Sequence, residues 1–168
     1  MTYLKFCYYD FELSVPKDWV ATFEKKVTYQ SGMAYFTTPN NYKLDHFWDK
    51  LEKYTAKNPT AESFMKSYFD GLKKNKNLKE LNIIEGSPVV NDCHETFPHE
   101  ITYAIKAPLP LTKTVKQKII GNTIYCKATN RFIAIYTAFD TKKDNPDENA
   151  QREVIKSFTC SCNSDAKL

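Results

Sequence analysis

The order of hydrophobic patterns constrains this chain more than any motif in it. Two segments of β-type alternation open the sequence, a long stretch at helical spacing comes next, three more β-type segments succeed it, and a short amphipathic helix closes the chain. Residues 3–9 are aromatic and β-rich. Phe11, Leu13 and Val15 then alternate with Glu12 and Ser14, the period of a half-buried strand. Pro16 ends that strand because it has no N–H to give a ladder, and Trp19 is expected to pack back on the core. Residues 27–37 read as further strand, interrupted near Ser31 and Gly32, and Thr38-Pro39-Asn40-Asn41 reads as a turn. Leu44, Phe47, Trp48, Leu51 and Tyr54 recur at helical spacing, which predicts a first helix with His46 partly exposed on it. Thr60 is the expected N-cap of a second helix, whose apolar stripe is Phe64, Met65, Tyr68, Phe69 and Leu72.

Residues 81–84 form the next apolar segment. Ile101, Tyr103 and Ile105 alternate with polar neighbours, and Pro108 and Pro110 separate that strand from the next one. Residues 115–128 and 131–139 read as neighbouring antiparallel strands joined at Thr129, Asn130 and Arg131. Gly121-Asn122 reads as a turn. Residues 147–158 form the closing helix, with Val154, Ile155 and Phe158 inward and Asp147 and Glu148 favouring the positive end of its dipole. Helical layers on both faces of one sheet define an α/β/α sandwich of the α+β class, with one mainly antiparallel sheet of about 5–7 strands. Residues 1–158 are expected to form a single domain, and residues 159–168 a flexible tail.

Composition excludes several function classes. The 168 residues are 42% hydrophobic and 14% aromatic, enough for one packed core. Four glycines argue against a glycine-built phosphate loop. With 24 basic and 20 acidic side chains the net charge is only +4. Nucleic-acid binders usually carry a concentrated basic stripe, so no nucleic-acid partner is expected. Lys73, Lys74, Lys76 and Lys79 do cluster, but at a predicted helix end, where cations favour the dipole. An acidic partner held there by counterion release is the alternative reading. No apolar run approaches the roughly 20 residues that span a bilayer. The alternating N-terminus does not read as a signal peptide, so the expected location is cytoplasmic. A mature exported or lipid-anchored domain with its leader removed is the alternative. Cys7, Cys93, Cys126, Cys160 and Cys162 include no C-x-x-C pair. They read as reduced thiols, with Cys7 and Cys126, among apolar and aromatic neighbours, as small buried hydrophobes.

The strongest polar cluster spans Asp92, Cys93, His94, Glu95, Thr96, Phe97, Pro98, His99 and Glu100. Imidazole and carboxylate suit zinc-like cations. However, the helical H-E-x-x-H pattern is one residue shorter than His94-Glu95…His99, and Pro98 forbids a regular helix there. The segment from Gly86 to Glu100 is therefore expected to be a long surface loop. Such loops are usually functional or disordered. Val89, Val90 and Phe97, rimmed by His94, Glu95, His99 and Glu100, are the candidate binding residues, suited to an anchor with a polar rim; the alternative is that Val89 and Val90 extend the sheet and Phe97 caps the core. Cys93 and His94 are neighbours pointing to opposite sides of an extended chain, a poor nucleophile–base pair. No catalytic residue, cofactor or resident metal is expected.

Asp10-Phe11-Glu12-Leu13-Ser14-Val15-Pro16-Lys17-Asp18-Trp19 resembles the "F-x-[IL]-x-[VIY]-P-x-x-W" opening of the PsbP-like superfamily. The ending is similar too: a strand pair through Tyr125 and Phe132 to Phe139, a loop, and a helix closing in Ile155-Lys156-Ser157-Phe158. The likeness extends in element order from residue 9 to residue 158, while residues 86–100 have no counterpart. The superfamily includes the extrinsic PsbP subunit of photosystem II, the yeast Ran-release factor, and bacterial lipoproteins and secretion chaperones. The resemblance implies the sandwich fold and a non-enzymatic binding or adaptor role with another protein as partner. Two alternatives stand beside it. One is a metal-binding module or metal-assisted hydrolase using His94, Glu95, His99 and Glu100; the other is an immunity protein or secretion chaperone.

Overall fold

The computed structural model describes residues 2–91, 93–106, 114–142, 144 and 146–160. Asp92, Pro108, Pro110 and Cys162 lie outside the described residues. β1 (Tyr3–Tyr8) and β2 (Phe11–Pro16) pair as a hairpin, with Tyr8 opposite Phe11. Tyr9 and Asp10 make the two-residue turn, at φ of 48° and 65°. Positive φ at both positions gives the turn whose twist matches a strand pair. Phe11, Leu13 and Val15 are buried, and Trp19 packs into the same cluster.

β3 (Val20–Phe23), β4 (Gly32–Thr37) and β5 (Lys43–Lys50) continue as an antiparallel run. β5 overturns the expectation of a helix there. Its buried residues are Leu44, His46 and Trp48, at period two, and its register runs along β4 on one side and along residues 131–137 on the other. Helix begins only at α1 (Glu52–Thr55) and α2 (Ala61–Lys73). Thr60 caps α2 as expected. Its hydroxyl accepts from the Ser63 amide at 3.0 Å, and the Ser63 hydroxyl oxygen accepts from the Thr60 amide at 3.0 Å. Each orphan N–H of the first turn so satisfied stabilises the helix. Thr60→Ala is expected to cost about 1 kcal/mol in urea unfolding, and a change below a few tenths would show the box to be idle.

β6 (Leu78–Glu85), β7 (Val89–Val90), β8 (His94–Lys106), β9 (Thr114–Cys126) and β10 (Arg131–Asp140) complete the large sheet, and α3 (Glu148–Ser157) and β11 (Thr159–Cys160) close the chain. Among the described residues the large sheet has eight strands, in the order β3-β4-β5-β10-β9-β8-β6, with β7 also on β8. A second sheet of three strands has the order β1-β2-β11. Gly121 sits inside β9, not in a turn. A Cβ there would lie 2.6 Å from the Tyr136 Cβ and 2.7 Å from the Ile135 carbonyl oxygen. Only glycine lets β10 come this close.

Two hydrophobic clusters lie on opposite faces of the large sheet. Ile120, Ile124 and Cys126 of β9 join Phe11, Leu13, Ala150, Val154 and Ile155 under the small sheet and α3. Tyr125, one residue out of phase, joins Phe97, Ile101, Met65 and Phe69 under α2. The mainly antiparallel architecture stands. The covering differs from a sandwich with helical layers alone, because the small sheet shares one face with α3. Asp147 caps α3 by accepting from the Ala150 amide at 3.0 Å. Thr159 and Cys160 pair with Glu12 and Phe11, so ordered structure continues past residue 158.

Candidate functional site

Residues 94–100 belong to β8, and this corrects the expected loop. They pair with β9 from His94 opposite Cys126 onward. Alternation sends Glu95, Phe97 and His99 to the α2 face and His94 and Glu100 to the other. The four proposed metal ligands therefore do not converge. Glu95 is 8% exposed, and its Oε1 accepts from the Glu62 amide in the first turn of α2 at 3.4 Å. His99 is buried with Nδ1 3.3 Å from the Phe97 carbonyl oxygen, and burial holds its imidazole below the ordinary range. Glu100 forms a bidentate pair with Arg152, Oε2 to Nη2 at 2.8 Å. Hydrogen bonds from Arg152 hold its carboxyl below the usual range against partial desolvation. Phe97 is 1% exposed in the core, so it is no docking anchor.

Val89 and Val90 are a different matter, at 58% and 72% exposed, with Ile84 at 56%. They lie at the edge of the sheet because of Pro98. The Pro98 carbonyl accepts from the Gly86 amide at 2.9 Å, so this side of Pro98 faces the strand edge, and proline has no N–H to add there. The edge partner accordingly leaves β8 at Gly86 and returns at Val89. A Cβ on Gly86 would approach the Pro98 ring to 2.8 Å, which is why glycine stands opposite proline. No strand among the described residues pairs with the outer side of β6 or β7.

Beside this edge a cleft of about 520 Å³ separates β7 and β8 from α3 and β11. Val89, Asn91 and Lys156 line it, and so do His94 and Cys160. Behind it lies a cluster that the sequence does not announce. His94, Cys126 and Cys160 place their ligand-type atoms within 4.8 Å of one another, with the two sulfurs 3.9 Å apart. The Thr129 hydroxyl donates to Cys126 Sγ at 2.9 Å. Hydrogen bonding from Cys160, His94 and Thr129 outweighs burial and pushes the Cys126 thiol well below its ordinary range.

Arg131 completes the surroundings. It is fully buried, stacked between the Phe11 ring at 4.1 Å and the Tyr29 ring at 4.4 Å. It donates to the Tyr9 and Tyr29 carbonyls, to Thr129 Oγ1 and to Cys160 Sγ at 3.7 Å; none of these acceptors is a carboxylate. A buried guanidinium favours compensating negative charge nearby, in keeping with the depressed Cys126 thiol. The four lysines of the basic cluster lie exposed at the expected helix end and just beyond it: Lys73 pairs with Asp70 at the end of α2, Lys74 is its C-cap, Lys76 is in the turn that follows, and Lys79 is in β6.

No family model matches the chain, and no curated protein matches it. Among solved structures, it is similar to cyanobacterial PsbP (CyanoP) from Synechocystis sp. PCC 6803, a solution structure. The TM-score is 0.51 at 12% sequence identity, over 95% of this chain and 92% of that one. The likeness is one of fold, and the fold is PsbP-like. No helix among the described residues is long and apolar enough to cross a membrane.

Proposed function

We propose that this protein is a non-enzymatic binding module that takes an extended segment of a partner protein along the β6–β7 edge. The observation that carries the reading is the row of Ile84, Val89 and Val90, each more than half exposed on an edge whose outer backbone no described strand pairs. Such an edge is a template for strand addition, with main-chain hydrogen bonds giving affinity and alternate side chains giving specificity. The adjoining cleft would receive the side chains that point inward. The PsbP-like fold supports the reading only at the level of architecture, since one fold hosts many functions.

A photo-crosslinking residue placed at Val90 in producing cells tests it. The expected result is a discrete adduct with one protein, absent when the same residue replaces Tyr68, which is 41% exposed on α2. Identical adducts at both positions, or none at Val90, would remove the edge as the docking site.

A further inference from the structure

We propose that His94, Cys126 and Cys160 form a nitrogen–sulfur–sulfur site for a soft monovalent metal ion of the copper(I) class. This inference is independent of strand addition at the edge. The three donors come from three strands: the start of β8, the end of β9 and β11. His94 and Cys126 are direct register partners, and cross-strand partners in an antiparallel pair project to the same face about 5 Å apart. β11 brings Cys160 over them by pairing with β2. Two sulfurs each about 2.3 Å from one ion lie about 3.8 to 4.0 Å apart at tetrahedral or trigonal angles. The observed separation is 3.9 Å, so both thiols can bind one ion with little movement. The cleft lined by His94 and Cys160 gives a way in from solvent.

Charge and donor type select the ion. Two thiolates contribute −2 and the buried Arg131 beside Cys160 contributes +1, leaving −1. A monovalent ion brings this to zero. A divalent ion would leave +1 in surroundings where uncompensated charge is costly. Thiolate and imidazole suit both copper(I) and zinc, but structural zinc takes four ligands, and these residues supply three. On binding, the Cys160 S–H that donates to Cys126 is replaced by a metal–sulfur bond and its proton leaves to solvent, while Cys126, whose thiol is already depressed, binds as thiolate. No electron is transferred.

The test uses the reduced full-length chain under anaerobic conditions, with copper(I) supplied as its bicinchoninate complex. One equivalent is expected to transfer to the protein, and X-ray absorption of that complex should show two sulfurs and one nitrogen around copper. Cys160→Ser and His94→Gln should each weaken retention by about 100-fold or more. Cys7→Ser, at an exposed cysteine of β1, should leave it unchanged. Copper that stays on the chelator overturns the proposal. So does equal loss from Cys7→Ser, which would mark unspecific thiol binding, or displacement of copper(I) by equimolar zinc(II). The absorption measurement reads the ligands in the unmodified protein, so the outcome does not depend on a variant folding.

Discussion

Phe97→Ala is expected to destabilise the protein by about 3–5 kcal/mol, the usual cost of removing a fully buried aromatic ring, and to lower Tm by roughly 10 °C. Phe97 is 1% exposed and sits under α2 with Met65, Phe69, Ile101 and Tyr125. α2 rests on this face of the sheet, so the cavity cannot be filled without shifting the helix. Val90→Asp, only a few residues earlier at the exposed edge, should change stability by no more than about 0.5 kcal/mol. Urea unfolding of the two variants side by side separates core from edge. A Phe97→Ala protein within 1 kcal/mol of the parent would mean that the ring is not packed as the structure places it.

That contrast marks a boundary of what the sequence can say. Phe97 reads with Val89 and Val90 as one surface segment because Asp92, Cys93, His94, Glu95, Pro98 and His99 make it look like a polar loop. The strand is real, but its inward positions include Glu95 and His99 as well as Phe97 and Ile101. A period-two signal built half from polar residues does not register as apolar alternation. β5 is hidden for a related reason. Both faces of the large sheet are covered, so Phe47 is half-buried on one side while Leu44 and Trp48 are buried on the other. Apolar residues on both faces destroy strict alternation, and Leu44, Phe47, Trp48 and Leu51 then imitate a helix. His46, buried between Leu44 and Trp48, removes the remaining cue.

Where local chemistry decides, the sequence is legible. Thr60 caps the helix that it is expected to cap, because a capping side chain acts on amides two or three residues away, and Asp147 stands at the helix start where it is expected for the dipole and also caps it. The turn through Thr129 and Asn130 joins β9 and β10 as expected. The end motifs that resemble the PsbP-like superfamily agree with the fold that the structure and its comparison define. The cysteine–histidine cluster is not legible. Cys126 and Cys160 meet only through the β2–β11 pairing, and His94 meets Cys126 only through the β8–β9 register. No spacing rule for a continuous metal motif reports on partners assembled by sheet register.

Acid stability gives the second large effect, and it rests on the residue that helical spacing would leave partly in solvent. His46 is fully buried among the rings of Phe11 at 4.7 Å, Phe158 at 5.1 Å and Trp48 at 5.3 Å. Its Nδ1 shares a 2.6 Å hydrogen bond with the Tyr8 hydroxyl, and its Nε2 has no partner among the described residues. Burial first, and the charge of Arg131 second, push its pKa down to about 3. In the unfolded chain a histidine titrates near 6.5. Above that pH neither state binds the proton, and the contribution of neutral His46 is fully present. As pH falls below about 6.5 the unfolded chain takes up a proton that the folded protein refuses, so stability falls by about 1.4 kcal/mol per pH unit. By pH 4.5 the loss from this one residue should reach about 2–3 kcal/mol. His46→Phe removes the titration but also deprives Tyr8 of its partner, which costs about 1–2 kcal/mol at neutral pH. The variant should therefore be the less stable protein at pH 7.5 and should lose less stability on acidification, since the carboxylates and His99 are common to both. Urea unfolding of both proteins at half-unit steps from pH 7.5 to 4.5 measures the difference in slope. Parallel profiles would show that His46 accepts its proton in the folded state, and so that its surroundings are wetter than the ring contacts around it require.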